Sequence, residues 1–233
     1  VVEALLVSLI WSSTFVIVKL GLESLGPLTI AGLRYFLGSL ILAPALLIRR
    51  SSPEPLSKDL WLRLILIGIS SYTIGNGALF WGLKYLPATT GSFLMSLTPL
   101  LVLAGGAVWL KEFPTRWQVL GVFLSLLGSG LFFSAGLLPG EPLGVGIFAV
   151  GLLGFMSFSL LGRSVARKRS LDTLRLTTLP LLIGGAFTLL LAFFLEGLPI
   201  MSQRSWLIIA WLALVNTALG YVLYNHALRE LTA

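Results

Sequence analysis

Cysteine is absent from the 233 residues, so disulfides and thiolate-bound metals are excluded. Histidine occurs once, at His226, and one imidazole cannot hold a metal. Charge is scarce: Asp, Glu, Lys and Arg make up 11% of the chain, against 57% hydrophobic residues and a mean hydropathy of +0.98. Soluble domains carry about 25% charged residues, and so little polar surface cannot cover a globule this apolar in water. The solvent is therefore lipid. Acidic residues also avoid the middles of the apolar runs, with Glu3, Glu23, Asp59, Glu112, Asp172 and Glu196 at run ends or in connections. Paired aspartates and an HExxH zinc motif are both missing, which removes the hydrolases that work inside a bilayer by those means. No enzyme activity, cofactor or metal is expected.

What is present is a series of long apolar runs, near 2–20, 27–48, 60–84, 87–110, 115–135, 142–163, 174–195 and 205–228. Each is close to the ~20 residues a helix needs to cross a bilayer. Barrel strands would be only ~9–11 residues long and would alternate apolar with polar, whereas these runs are continuous. Pro27, Pro53, Pro87, Pro114 and Gly140 to Pro142 mark turns or first helical positions.

The formal charge of +7 does not indicate nucleic-acid binding, because the cations sort by membrane side. Arg49, Arg50, Lys58, Arg63, Lys111, Arg116, Arg163, Arg167, Lys168, Arg169, Arg175 and Arg229 fall on one side. Lys19, Arg34, Lys84 and Arg204 fall on the other. Cytoplasmic loops carry the excess of Lys and Arg, so the N-terminus is expected in the cytoplasm of a cell whose plasma or inner membrane holds a multi-pass chain.

An internal copy is also visible. "GISSYTIGNGALFWGLKYLPA" (68–88) lies over "ALVNTALGYVLYNHALRELTA" (213–233) with a shift of 145, pairing Gly75 with Gly220 and Lys84 with Arg229. A shift of 144 pairs Ser13 with Ser157, Lys19 with Arg163 and Thr29 with Thr173. The repeating unit is five helices, an odd number, so the second copy enters from the opposite side, as in transporters built from inverted repeats. The expected fold is an all-α polytopic membrane protein, a 5+5 inverted-repeat bundle. Residues 1–136 form the first unit and 137–233 the second, eight helices of an expected ten, with the partners of helices 4 and 5 lacking.

The stretches "WSSTFVIVKLGLESLGPLTIAGLRYFLGSLILAP" (11–44) and "GLKYLPATTGSFLMSLTPLLVLAGGAVWLKE" (82–112) resemble the EamA family of the drug/metabolite transporter superfamily. The resemblance runs through essentially the whole chain. It implies alternating-access transport of small metabolites, commonly amino acids or related compounds moved outward.

Polar groups at mid-span should face protein or water, because an unpaired one in hydrocarbon costs several kcal/mol. Tyr72, Asn76 and Phe80 recur every fourth residue on one face of the third helix. Their repeat mates Thr217, Tyr221 and Asn225 do the same on the eighth. Trp11, Ser12 and Phe15 on the first helix and Ser157 on the sixth lie at matching depth. These ten residues are expected to line a shared substrate cavity, aromatic walls burying the solute and amide and hydroxyl groups orienting it. The bland alternative is hydrogen bonding between helices at about 0.6 kcal/mol each.

Arg34 is the one charge well inside a span, about 10 Å past Pro27 at 1.5 Å per residue. Two readings stand open for it: snorkelling to the interface, or a vestibule cation attracting a carboxylate. Ser92 and Ser96 suit close helix packing, Pro99 a kink, Lys84 an interfacial anchor, and His226 packing or an interface. With no acid at mid-membrane, exchange or facilitated transport is favoured over proton-driven antiport unless further helices bring such a group. A lipid scramblase or a non-transporting scaffold is the alternative. The expected partners are a small-molecule substrate and the bilayer, with no nucleic acid, in a monomer or homodimer.

Overall fold

The computed structural model describes residues 2–48, 57–134, 140–167 and 173–224. Eight helices run through them: α1 (Val2–Gly21), α2 (Pro27–Ile48), α3 (Lys58–Gly82), α4 (Ala88–Trp109), α5 (Arg116–Ser134), α6 (Pro142–Arg167), α7 (Thr173–Glu196) and α8 (Gln203–Tyr224). No strand occurs among the described residues. Local chemistry sets several starts. Pro27 and Pro142 occupy first positions, where a missing N–H costs nothing. The Ser57 and Ser202 hydroxyls accept from the Leu60 and Ser205 amides and cap α3 and α8.

Six of the eight, α2, α3, α4, α6, α7 and α8, contain a stretch long and apolar enough to cross a membrane; α1 adds a shorter apolar helix over Leu5–Gly21. The exposure pattern is inverted relative to a soluble protein. Val108, Phe113, Trp117 and Leu131 are more than three-quarters exposed, while Arg34 is 4% and Asn216 0% exposed. Large side chains outside and polar ones inside are what a lipid solvent selects. The chain is an all-α polytopic membrane protein.

Glycine brings the central helices together. The most extensive contact is between α2 and α7. A Cβ on Gly32 would lie 2.7 Å from the Leu189 amide nitrogen, and one on Gly185 would lie 2.6 Å from that of Phe36. The antiparallel pair α3 and α6 is equally close: a Cβ on Gly154 would meet both the Gly75 nitrogen and the Ser70 oxygen at 2.6 Å. Small residues that let backbones approach are the main packing device in lipid. By contrast α5 is largely exposed, and a Cβ on its Gly121, Gly128 or Gly130 would meet nothing within 4 Å.

Three helices depart from regular α geometry, all beside the centre. α3 is π-helical over Ile69–Gly77 and α8 over Leu212–Leu219. Under the sequence shift of 145 these two segments overlap. Each is tied by a side chain reaching five residues back: Asn76 Nδ2 to the Ser71 carbonyl, and Thr217 Oγ1 to the Leu212 carbonyl, both 2.9 Å. In α4 the helix is interrupted between Met95 and Thr98. Pro99 has no N–H for the Met95 carbonyl, and the Thr98 hydroxyl donates to that oxygen instead at 2.7 Å.

Candidate functional site

The π-helical segment of α3 borders a cavity of about 260 Å³, and that of α8 ends two residues before the first α8 side chain in its wall. Asn76 and Phe80 of α3 line it, together with Ser71 and Leu79. From α8 come Tyr221 and Tyr224, and from α1 Trp11, Thr14 and Phe15. Arg34 and Tyr35 of α2, Met95 of α4, and Phe155 and Phe158 of α6 complete the described wall. Eight of these fourteen residues are aromatic, which makes the wall rigid and apolar with a few fixed polar groups, the usual composition of a small-molecule pocket.

The rings form a connected chain. Tyr35 and Tyr72 stand 4.8 Å apart between centroids, Tyr72 and Tyr221 6.4 Å, Trp11 and Tyr221 5.7 Å, and Trp11 and Tyr224 5.2 Å, all tilted or edge-on. Such pairs contribute about 0.5–1.5 kcal/mol each beyond area burial.

Arg34 does not reach an interface; it lies inside. Gly38, one turn further along α2, explains how: its missing Cβ would sit 2.6 Å from the Thr217 methyl, so α2 and α8 close on one another there. Arg34 Nε then donates to Thr217 Oγ1 at 2.9 Å, and Nη2 approaches the Asn216 carbonyl at 3.4 Å. The guanidinium carbon is 4.9 Å from the Tyr35 ring centre and 5.8 Å from that of Phe80. Nη1 is buried with no hydrogen-bond partner among the described residues.

Asn216 joins α8 to α1. Its Nδ2 lies within hydrogen-bond distance of the Ile10 carbonyl (2.6 Å), Thr14 Oγ1 (2.9 Å) and Ser13 Oγ (3.1 Å). Trp11 Nε1 donates back to the Asn216 carbonyl at 3.1 Å. Beyond the cavity, at the ends of α1, α3 and α7 where the chain turns at 22–26, 83–87 and 197–202, polar bonds fasten the helices. Lys19 Nζ donates to the carbonyls of Leu83 (2.5 Å) and Leu86 (2.9 Å). The Glu196 carboxylate accepts from the Leu28 and Thr29 amides and the Thr29 hydroxyl at 2.7–2.8 Å. Arg204 pairs with Glu23 at 3.0 Å.

Of the residues picked out in the sequence, Trp11, Phe15, Asn76, Phe80, Tyr221 and Arg34 border the cavity. Tyr72 and Thr217 are buried directly behind it. Ser12 and Ser157 are not among its walls: their hydroxyls bond back to the Leu9 and Leu153 carbonyls of their own helices, as serine commonly does in lipid. Asn225 and His226 lie outside the described residues. Sequence reasoning missed Thr14, Tyr35, Ser71, Leu79, Met95, Phe155, Phe158 and Tyr224. Tyr35, adjacent to the one mid-span charge, and Tyr224, one turn from Tyr221, were the two whose spacing carried a signal.

Comparison with known proteins agrees with this architecture. The EamA-like transporter family is matched over residues 1–134 and again over residues 142–233. The uncharacterized transporter YyaM of Bacillus subtilis is 25% identical over 97% of this chain and 76% of its own. The uncharacterized inner membrane transporter YedA of Escherichia coli K12 is 24% identical over 96% of this chain and 72% of its own. A protein of Salmonella typhimurium named "Probable amino-acid metabolite efflux pump" is 27% identical over 95% and 75%. An uncharacterized transporter of Archaeoglobus fulgidus is 33% identical over 57% of this chain, which spans 45% of that relative's length. One solved crystal structure superposes with a TM-score of 0.72 at 18% identity, covering 96% of this chain and 77% of the other, a likeness of fold. The chain belongs to the EamA-like transporter family of membrane transporters, within the drug/metabolite transporter superfamily.

Proposed function

We propose that the protein exports small metabolites by alternating access, with the aromatic cavity between α1, α2, α3, α6 and α8 as the substrate site. The observation that carries this reading is the aromatic cavity itself, bordered by the π-helical segment of α3 and by α8 just past its own π-helical segment. π-bulges concentrate at functional sites, and transporters built from inverted repeats bind their solutes where the two copies meet. In this reading Trp11, Phe15, Phe80 and Tyr221 bury the body of the solute, Asn76 orients it, and Tyr72 and Thr217 hold the wall from behind. Residues 1–136 and 137–233 act as the two units that rock. The N-terminus faces the cytoplasm of the inner or plasma membrane, the side that receives most of the Lys and Arg.

Outward direction is supported by the efflux name of the Salmonella relative. Rocking requires one end of the bundle to open. The bonds of Lys19, Glu196 and Arg204 at the 22–26 end are the ones that must break. The test is uptake and counterflow of small metabolites in proteoliposomes. Saturable transport by the wild type that is lost or weakened at least tenfold in the Asn76→Ala, Tyr221→Ala double variant supports the site. Unchanged transport by that variant removes it.

A further inference from the structure

We infer that the cavity selects monoanions: its ligand is a carboxylate, or a group of like charge and shape, on a single ring or a short branched body. This rests on the cavity being the substrate site. Arg34 is only 4% exposed, and its electrostatic surroundings are one-sided. Its neighbours within reach are a hydroxyl, a backbone carbonyl and two ring faces, all formally neutral. No Asp or Glu lines the cavity among the described residues. All nine acidic residues of the chain fall at the ends of apolar runs or in connections.

A guanidinium cannot shed its proton to relieve burial, so it stays charged in a low-dielectric setting, where an uncompensated ion costs several kcal/mol. A bound anion is the natural compensation. Nε is committed to Thr217, which fixes the plane of the fork and leaves the Nη1 donors unclaimed. Arginine pairs with planar carboxylates by parallel N–H···O bonds. The same field penalises a ligand that brings its own cation. An amine is repelled outright. A zwitterion must place an ammonium in a chamber where no described carboxylate can receive it.

Volume sets the body. About 260 Å³ lies just below the ~300–1,000 Å³ of ordinary ligand pockets, and the aromatic wall offers edges and faces for one ring. Four ring-matched probes isolate the charge: phenylacetate, phenylacetamide, L-phenylalanine and phenethylamine.

The experiment measures binding of these four to the purified protein by calorimetry, and their counterflow in proteoliposomes. Phenylacetate is expected to bind at least tenfold tighter than phenylacetamide, with phenethylamine weakest and phenylalanine between. Arg34→Gln is expected to bring the phenylacetate-to-phenylacetamide ratio to about one, with the fold of the variant checked separately by its thermal unfolding. Arg34→Lys is expected to restore part of the ratio. If Arg34→Gln does not fold, the wild-type ratio alone still decides. Equal binding of acid and amide by the wild type overturns the inference. Preferential binding and counterflow of the amine or the amino acid overturns the inference and leaves the transport reading standing. No binding and no counterflow of any probe sinks both.

Discussion

Gly154 and Gly146 lie on the same helix, α6, and the structure assigns opposite signs to the same substitution at each. A Cβ on Gly154 would stand 2.6 Å from the Gly75 nitrogen and 2.6 Å from the Ser70 oxygen. Both are backbone atoms of α3 and cannot swing aside. Ordinary contact with carbon needs about 3.5 Å, so α3 and α6 must part by roughly 1 Å. Gly151, whose Cβ position is 2.8 Å from the Gly75 oxygen, would lose its contact too. Overpacking of this kind costs about 1–3 kcal/mol. A Cβ on Gly146 meets nothing within 4 Å, and alanine there removes only the entropic handicap of a helical glycine, a gain of about 0.5–1 kcal/mol. For a chain of this size each kcal/mol shifts Tm by ~2–4 °C. Gly154→Ala is therefore expected to lower Tm by about 4–8 °C near the middle of that range, and Gly146→Ala to raise it by about 1–4 °C. Tryptophan fluorescence of the detergent-solubilised protein, heated at one scan rate, reads both. Shifts of equal sign and size would refute the glycine seam.

Three further outcomes follow from the same geometry. Asn216→Ala removes two amide donors shared among three acceptors on α1, worth about 0.6 kcal/mol each in lipid. Its buried and unpartnered Oδ1 goes with them, so the loss is expected to stay near ~1 kcal/mol, or ~2–4 °C in Tm. Glu196→Gln discharges the carboxylate that caps the N-terminus of α2; it is expected to cost ~1 kcal/mol, and a loss beyond about 3 kcal/mol in a chemical-unfolding titration would contradict a capping role. Lys19→Met frees the Leu83 and Leu86 carbonyls. It is expected to speed hydrogen exchange in the 83–87 turn, read by mass spectrometry, while leaving α7 unchanged.

Helix number, positions and fold class were legible because lipid imposes one simple rule, a long apolar run for each crossing. The stripe Tyr72, Asn76, Phe80 was legible for the same reason: polar groups on a spanning helix must turn inward. Serine broke that rule. Ser12 and Ser157 answer their hydrogen-bonding demand within their own helices, so a hydroxyl at the right depth carries little directional information. The π-helical segments were not legible, since they arise from side chains reaching five residues back and from the contacts of α3 and α8 with their neighbours. Depth alone left Arg34 undecided. What buries it is the absence of a Cβ at Gly38, which admits Thr217 of α8 to within reach. Phe155 and Phe158 were missed because a phenylalanine in an apolar run looks the same facing lipid or a cavity.

The central claim is that a solvent-reachable substrate chamber lies between α1, α2, α3, α6 and α8, and the cysteine-free sequence allows it to be read with one thiol at a time. The measurement is labelling of Asn76→Cys in sealed proteoliposomes by a small water-soluble maleimide, with Val119→Cys on the exposed face of α5 as the lipid-facing reference. The account predicts that the thiol of the Asn76→Cys variant reacts at least tenfold faster than that of Val119→Cys, and that a transported solute slows the cavity thiol alone. Equal, solute-insensitive labelling at both positions would contradict it.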